Sequence, residues 1–228
     1  MSFGRQIRVL LAEDHCIMRE GLCALLEADG SFALVGQAQT GREAVELART
    51  LRPDVIVMDI AMPILNGLEA TRQILEADPS AKVLILSAHS DHEYVGRVNA
   101  VGAAGFLEKQ MPKEMLTRAI REVAKGNRFV SPSIATRMRG DGSNSRGRDG
   151  ASWPHARGLT AREAEVLQLV AEGSANKQVA AELSISIKTV EKHRQHLMEK
   201  LDIHDTASLT RYAIAAGVIE SSIQPTTA

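Results

Sequence analysis

The sequence predicts an α/β domain built on a parallel five-stranded sheet, followed by a separate all-α domain of helix-turn-helix form. Three observations carry this expectation. The first 135 residues alternate short β-branched runs with stretches of helical spacing, residues 139–150 contain no apolar side chain, and every periodic segment after them is helical. Composition agrees: of 228 residues, 44% are hydrophobic and 24% charged, the balance of a globular chain with real cores. Aromatics are only 3%, so those cores rest on Leu, Ile, Val, Ala and Met, which argues against a strand-only fold. A net charge of -1 excludes a strongly basic nucleic-acid coat or a polybasic membrane binder, while leaving room for a local basic surface. No apolar run approaches the roughly 18 residues of a membrane span, and no basic segment followed by an apolar one opens the chain. The expectation is a cytoplasmic protein with no membrane partner.

Taken in order, strands are expected over 7–12, 33–38, 55–59, 82–87 and 105–109, and helices over 16–27, 42–51, 68–77, 93–100 and 113–125. In the first helix Met18, Leu22, Leu25 and Leu26 share a face. Cys16 and Cys23 lie in the same helix about 10 Å apart along its axis, too far to bridge, and read as small half-buried apolar side chains. The run Val55-Ile56-Val57-Met58 is apolar without alternation, as a central strand covered on both faces requires. Five βα units in series imply a parallel sheet with helices on both sides. Residues 137–158 read as a linker, whose Gly/Ser-rich composition spans roughly 25 Å. Beyond it, Thr160 and Glu163 have capping-box spacing, Leu167, Val170 and Ala171 continue an apolar face, and Gly173 stops the helix. A short helix over 176–183, the turn Ser184-Ile185-Ser186 and a longer helix over 187–201 form the helix-turn-helix unit, with a last helix over 206–216 ending at Gly217. The domains are then 1–135, a linker over 136–158, and 159–228.

Chemistry is concentrated at the strand ends, where parallel sheets place their functional crevice. The first strand ends in Glu13-Asp14, the third in Asp59, the fourth in Ser87 and the fifth in Lys109. Three carboxylates brought together repel unless a cation is present, and an oxygen-only set suits hydrated Mg²⁺. Lys109 supplies the remaining positive charge.

The segments Val9-Leu10-Leu11-Ala12-Glu13-Asp14, Met58-Asp59-Ile60-Ala61-Met62-Pro63, Gly67-Leu68-Glu69-Ala70, Leu86-Ser87-Ala88 and Gly105-Phe106-Leu107-Glu108-Lys109 resemble the receiver domains of two-component response regulators, over about residues 5–128. The resemblance implies a flavodoxin-like fold with strand order 2-1-3-4-5. It also implies that Asp59 is the phospho-acceptor, that Glu13, Asp14, Asp59 and the backbone carbonyl of Ala61 hold Mg²⁺, and that Ser87 and Lys109 contact the phosphoryl group. Phe106 matches the aromatic switch position, moving into space that Ser87 vacates. Ala61 and His89 flank the expected water path and tune the lifetime of the phosphorylated form. Gln110 departs from the pattern, since many receivers have proline there.

Residues 159–219 resemble the LuxR-type helix-turn-helix of the NarL/FixJ subfamily, through Leu159-Thr160, Arg162-Glu163, Val166-Leu167, Gly173, Asn176-Lys177, Val179-Ala180, Leu183, Ser186, Lys188-Thr189-Val190, His193 and Lys200-Leu201. Val190, Leu197 and Leu201 give the longer helix an inward face, leaving Lys188, Glu191, Lys192 and Gln195 toward solvent. Lys and Gln donate to guanine or adenine edges, Glu accepts from cytosine, and the helix N-terminus with Thr189 meets phosphate. His193 and His196 are three residues apart without further zinc ligands, so packing or phosphate contact is expected of them.

The reading is a phosphorylation-controlled transcription regulator, not an enzyme, with a sensor histidine kinase and double-stranded promoter DNA as partners and RNA polymerase as a further candidate. Residues 159–228 carry seven Lys and Arg against nine Asp and Glu, so one copy should bind DNA weakly. Phosphorylation is therefore expected to release the second domain and favour a homodimer. The alternative is a DNA-binding regulator gated by a protein partner without phosphorylation, which the intact acidic set disfavours. A flavoprotein is disfavoured by Glu13-Asp14-His15 in place of a glycine-rich phosphate loop, and an aspartyl phosphatase by an Asp on the third strand instead of the first.

Overall fold

The computed structural model describes residues 5–88, 92–131 and 158–219, with backbone alone for 92–95. Two compact units emerge, residues 1–150 and 151–228. The expected linker, apart from Gly158, lies outside the described residues, as does His89.

In the first unit the elements run β1 (Ile7–Ala12), α1 (Cys16–Ala28), β2 (Phe32–Ala38), α2 (Gly41–Leu51), β3 (Val55–Asp59), α3 (Gly67–Ala77), β4 (Val83–Ser87), α4 (His92–Ala100), β5 (Gly105–Glu108), α5 (Lys113–Ala124) and β6 (Phe129–Val130). The sheet is parallel throughout, in the order β2-β1-β3-β4-β5-β6. Five strands stand where the sequence puts them. The sixth, β6, pairs with Gly105 and Phe106 and was not expected, because two residues are too few to show a period.

Burial follows from the sheet's position between helices. Val9, Leu11, Val55, Val57, Leu84, Leu86 and Leu107 form one face with Leu26 of α1 and with Leu116, Ile120 and Val123 of α5. The alternate residues Leu10, Ile56, Met58 and Ile85 are equally buried, which is why these strands read as unbroken apolar runs. Helix α1 corrects two expectations. Its seam runs through Cys23 and Leu26, with Leu22 and Leu25 partly buried, whereas Met18 in the first turn is 37% exposed. The small Cys23 side chain packs on the core, whereas Cys16, two turns earlier on nearly the same line but at the first position of the helix, is exposed.

The second unit comprises α6 (Ala161–Ala171), α7 (Asn176–Glu182), α8 (Ile187–Leu201) and α9 (Thr206–Ala215). Helix α6 packs on α8 and α9, and α7 on α8. The expected capping box at the start of α6 is complete: Glu163 N donates to Thr160 Oγ1 at 3.3 Å and Thr160 N to Glu163 Oε2 at 2.7 Å. Lys200 Nζ reaches the same Glu163 oxygen at 2.6 Å and the Gly158 carbonyl at 2.8 Å, tying the end of α8 to the start of the unit. Burial works against the Glu163 charge, yet these bonds hold its carboxyl below the usual range. Gly173 sits at φ +94°, the left-handed conformation that ends α6.

Candidate functional site

Three strand ends converge on one carboxylate. Lys109, just past β5, places Nζ 2.9 Å from Asp59 Oδ2 and 2.9 Å from Glu13 Oε2. Asp59 Oδ1 accepts the backbone N–H of Ile60 at 2.8 Å, so one oxygen is held by the chain and the other faces the ammonium. Glu13 and Asp59 are buried, and Asp14 stands half-buried beside them. Glu13 Oε2 and Asp59 Oδ2 share the single Lys109 ammonium, and Asp14 Oδ1 is a buried oxygen without a hydrogen-bond partner. Two buried carboxylates and a third at the rim face one ammonium, leaving an excess of negative charge that a small divalent cation would neutralise. The oxygen donors fit Mg²⁺.

The charge balance shows in the protonation of the pair. Burial pushes the Asp59 carboxyl up to about 6 despite Lys109, with the Glu13 and Asp14 charges adding to the rise. Burial also opposes the Lys109 charge, but the Asp59 and Glu13 carboxylates hold that ammonium above its ordinary value.

The loop after β3 is held by close backbone approach. Gly67 N donates to the Ile60 carbonyl at 2.8 Å and Gly41 N to the Leu65 carbonyl at 3.1 Å, drawing the starts of α3 and α2 against residues 60–66. Within the loop, Ile64 takes φ +69°, a costly conformation for a β-branched residue and one that clusters at functional sites. Asn66 caps α3 by accepting from Leu68 N and Glu69 N. Ser87 and Phe106 are both buried, and the register Ile85↔Phe106, Ser87↔Glu108 puts them on the same face of adjacent strands.

In the second unit, Val190 and Leu197 are fully buried and Leu201 half-buried, while Lys188, Glu191, Lys192 and Gln195 are exposed on the opposite side of α8. Ser186 caps this helix, accepting from Thr189 N at 3.0 Å, and its hydroxyl meets Thr189 Oγ1 at 2.7 Å. The helix N-terminus therefore presents hydroxyls and N–H groups beside two lysines, an arrangement suited to a phosphate backbone.

The comparisons with known proteins agree with this geometry. The response regulator receiver domain family matches residues 9–121, and the bacterial regulatory proteins of the luxR family match residues 157–213. The chain is 35% identical over 216 residues to the oxygen regulatory protein NreC of Staphylococcus carnosus (strain TM300), covering 94% of this chain and all of that one. It is 39% identical over 211 residues to the transcriptional regulatory protein LiaR of Bacillus subtilis (strain 168), covering 91% and 96%. The chain belongs to the response regulators of two-component systems, in the NarL/FixJ subfamily. Among solved structures, a LuxR-family response regulator from Aurantimonas sp. SI85-9A1 aligns with a TM-score of 0.58 at 34% identity, covering 60% of this chain and 97% of its own.

This response regulator brings together Glu13, Asp14, Asp59 and Lys109, and buries Ser87 and Phe106 on one face of the neighbouring strands β4 and β5. Three contributors escaped the sequence reading. Arg19 Nη1 donates to the Glu13 and Asp14 carbonyls at 2.9 and 3.0 Å, clamping the acidic turn. His15 joins the acidic cluster. Arg194 links the starts of two helices to α8, donating to Asn176 Oδ1 at 2.8 Å and Thr206 Oγ1 at 2.6 Å. Only adjacency to Asp14 marked His15; Arg19 and Arg194 carry no sequence mark beyond their charge.

The raised Asp59 value has a measurable consequence without metal. A carboxyl whose folded value, about 6, exceeds the unfolded 3.8 contributes stability that is fully present below pH 4 and lost as pH rises through 6. In a chelator, the unfolding free energy of the wild type should fall between pH 4.5 and pH 7 relative to Asp59→Asn by an amount on the order of 2 kcal/mol. Saturating Mg²⁺ should remove the difference. Parallel pH profiles for the two proteins in chelator would refute the assignment.

Proposed function

We propose that Asp59 accepts a phosphoryl group from a sensor histidine kinase and that phosphorylation turns the second domain into a dimeric binder of promoter DNA. The observation that carries this reading is the Asp59 oxygen facing Lys109 Nζ at 2.9 Å amid buried carboxylates. Asp59 Oδ2 attacks phosphorus, the bond to the donor breaks, and the leaving group departs with its electron pair. Glu13, Asp14, Asp59 and the Ala61 carbonyl would hold Mg²⁺, which when bound offsets charge on the transferred oxygens. Lys109 would stabilise the same oxygens through its ammonium. Ser87 donates its hydroxyl to the aspartyl phosphate, and Phe106 follows into the space released, a local packing change read out elsewhere. The alternative gating by a partner protein leaves the excess of carboxylate charge without a use.

On the DNA side, Lys188, Thr189, Glu191, Lys192 and Gln195 are the proposed contacts, with RNA polymerase as a downstream partner. Among the described residues no helix is long and apolar enough to cross a membrane, which suits a cytoplasmic setting. The second domain's excess of acidic side chains makes dimerisation necessary for tight binding, on half-sites about one helical turn apart. A binding titration with and without a small phosphodonor, read beside sedimentation on the same DNA, tests this. Tight one-to-one binding by the unphosphorylated monomer would overturn it. Lys192→Ala should cost roughly 1–3 kcal/mol with relaxed preference at one position if Lys192 reads a base. If it meets phosphate alone, affinity falls evenly across sequences and the salt slope drops by about one.

A further inference from the structure

The acidic site contains a nitrogen donor that the function above does not use. His15 follows Asp14 at the start of α1, with 70% of its side chain exposed. Its Nδ1 lies 2.9 Å from Asp14 Oδ1 and 3.3 Å from Glu13 Oε1. One donor atom each from Glu13, Asp14, His15 and Asp59 falls within 4.8 Å of all the others.

Two features distinguish this from a surface ion pair. Asp14 Oδ1 is buried and has no hydrogen-bond partner although Nδ1 stands 2.9 Å away, so the ring nitrogen lies beside the oxygen without the alignment of an N–H donor. Adjacent ligands in an octahedral shell with bonds of about 2.1 Å are about 3 Å apart. The 2.9 and 3.3 Å separations are thus those of neighbouring ligands around one ion. Glu13 and Asp59, whose buried carboxylates share the single Lys109 ammonium, belong to the same cluster. The turn carrying His15 is already fixed: Arg19 holds the carbonyls on its N-terminal side, and the His15 backbone N–H donates to Glu13 Oε1 at 3.3 Å.

We propose that His15 ligates the divalent cation through Nδ1, so that this site selects first-row transition dications such as Co²⁺, Ni²⁺ and Zn²⁺ over Mg²⁺ more strongly than its carboxylates alone would. The inference rests on the metal site proposed above. Carboxylate and carbonyl oxygens suit Mg²⁺, whereas imidazole strengthens binding of the later transition metals and contributes little to a hard ion that keeps its waters. An all-oxygen site also follows the general affinity order of these metals, so the distinguishing quantity is the dependence on His15.

The test is calorimetric titration of the untagged full-length protein with CoCl₂ and with MgCl₂, for wild type, His15→Ala, His15→Gln and Asp14→Ala. Both His15 variants replace an exposed side chain and should fold. Loss of His15 should weaken Co²⁺ about tenfold or more and change Mg²⁺ less than about twofold. Pulsed electron paramagnetic resonance on the Mn²⁺-loaded protein should show a ¹⁴N coupling that both His15 variants lose. Equal weakening of Co²⁺ and Mg²⁺, or a wild type without the nitrogen coupling, would overturn the ligand role of His15. A different result, in which neither ion binds or Asp14→Ala leaves both unchanged, would instead overturn the metal site itself.

Discussion

Asp59→Asn should reduce labelling by a small-molecule phosphodonor to background, and wild-type labelling should require Mg²⁺. Asp59 has one oxygen held at 2.8 Å by the backbone N–H of Ile60 and the other 2.9 Å from the Lys109 ammonium, so the second oxygen is the one placed to attack. Asparagine keeps the shape and the backbone contact but lacks the nucleophilic oxygen. The metal requirement follows from charge. Lys109 cannot neutralise Glu13, Asp14 and Asp59 together, and a phosphoryl oxygen about 4 Å from one uncompensated carboxylate meets roughly 4 kcal/mol of repulsion at an effective dielectric of 20. That barrier corresponds to about a thousandfold in rate. Intact-mass measurement on both proteins, with and without chelator, reads the outcome. Equal labelling of wild type and Asp59→Asn would remove the site.

How much of this site was legible depends on what kind of position each residue occupies. Asp59 and Lys109 lie at the ends of apolar runs, and a parallel sheet brings such ends together whatever the helices do. Their meeting therefore followed from counting strands. The same logic put Lys188 and Lys192 opposite Val190 and Leu197, because helical period alone separates the two faces. Arg19 and Arg194 were illegible for the converse reason: each bonds backbone or side-chain oxygens on other elements, a relation without a period. The β6 strand exists only because Gly105 and Phe106 leave an edge for two residues to join. Met18 shares a helical stripe with Leu22, Leu25 and Leu26, but it sits in the first turn, where it is 37% exposed while Cys23 and Leu26 further along are buried.

Gly67 shows the same limit, and it yields a large stability effect in the receiver. The sequence offers Gly67 only as part of the Gly67-Leu68-Glu69-Ala70 segment. In the fold it opens α3 directly against the end of β3, and a Cβ built there would stand 1.8 Å from the Asp59 carbonyl oxygen and 2.8 Å from its carbon. Neither group is a flexible side-chain tip. Accommodating a methyl requires α3 or the Asp59 backbone to move by more than about 1 Å, which also stretches the 2.8 Å bond from Gly67 N to the Ile60 carbonyl. Overpacking of this kind with a weakened hydrogen bond should cost about 3 kcal/mol, or about 10 °C in the unfolding midpoint of a domain of this size. Because the displaced backbone carries Asp59, the variant should also label more slowly under conditions where it remains folded. Gly21 supplies the internal control: it lies in α1 of the same unit, exposed, with nothing within 4 Å of the position a methyl would take. There alanine should stabilise by about 0.5–1 kcal/mol, since it only removes the conformational freedom of a helical glycine. Thermal unfolding of both variants beside wild type decides the matter, and a Gly67→Ala protein as stable as Gly21→Ala would show that the start of α3 does not press on the Asp59 carbonyl.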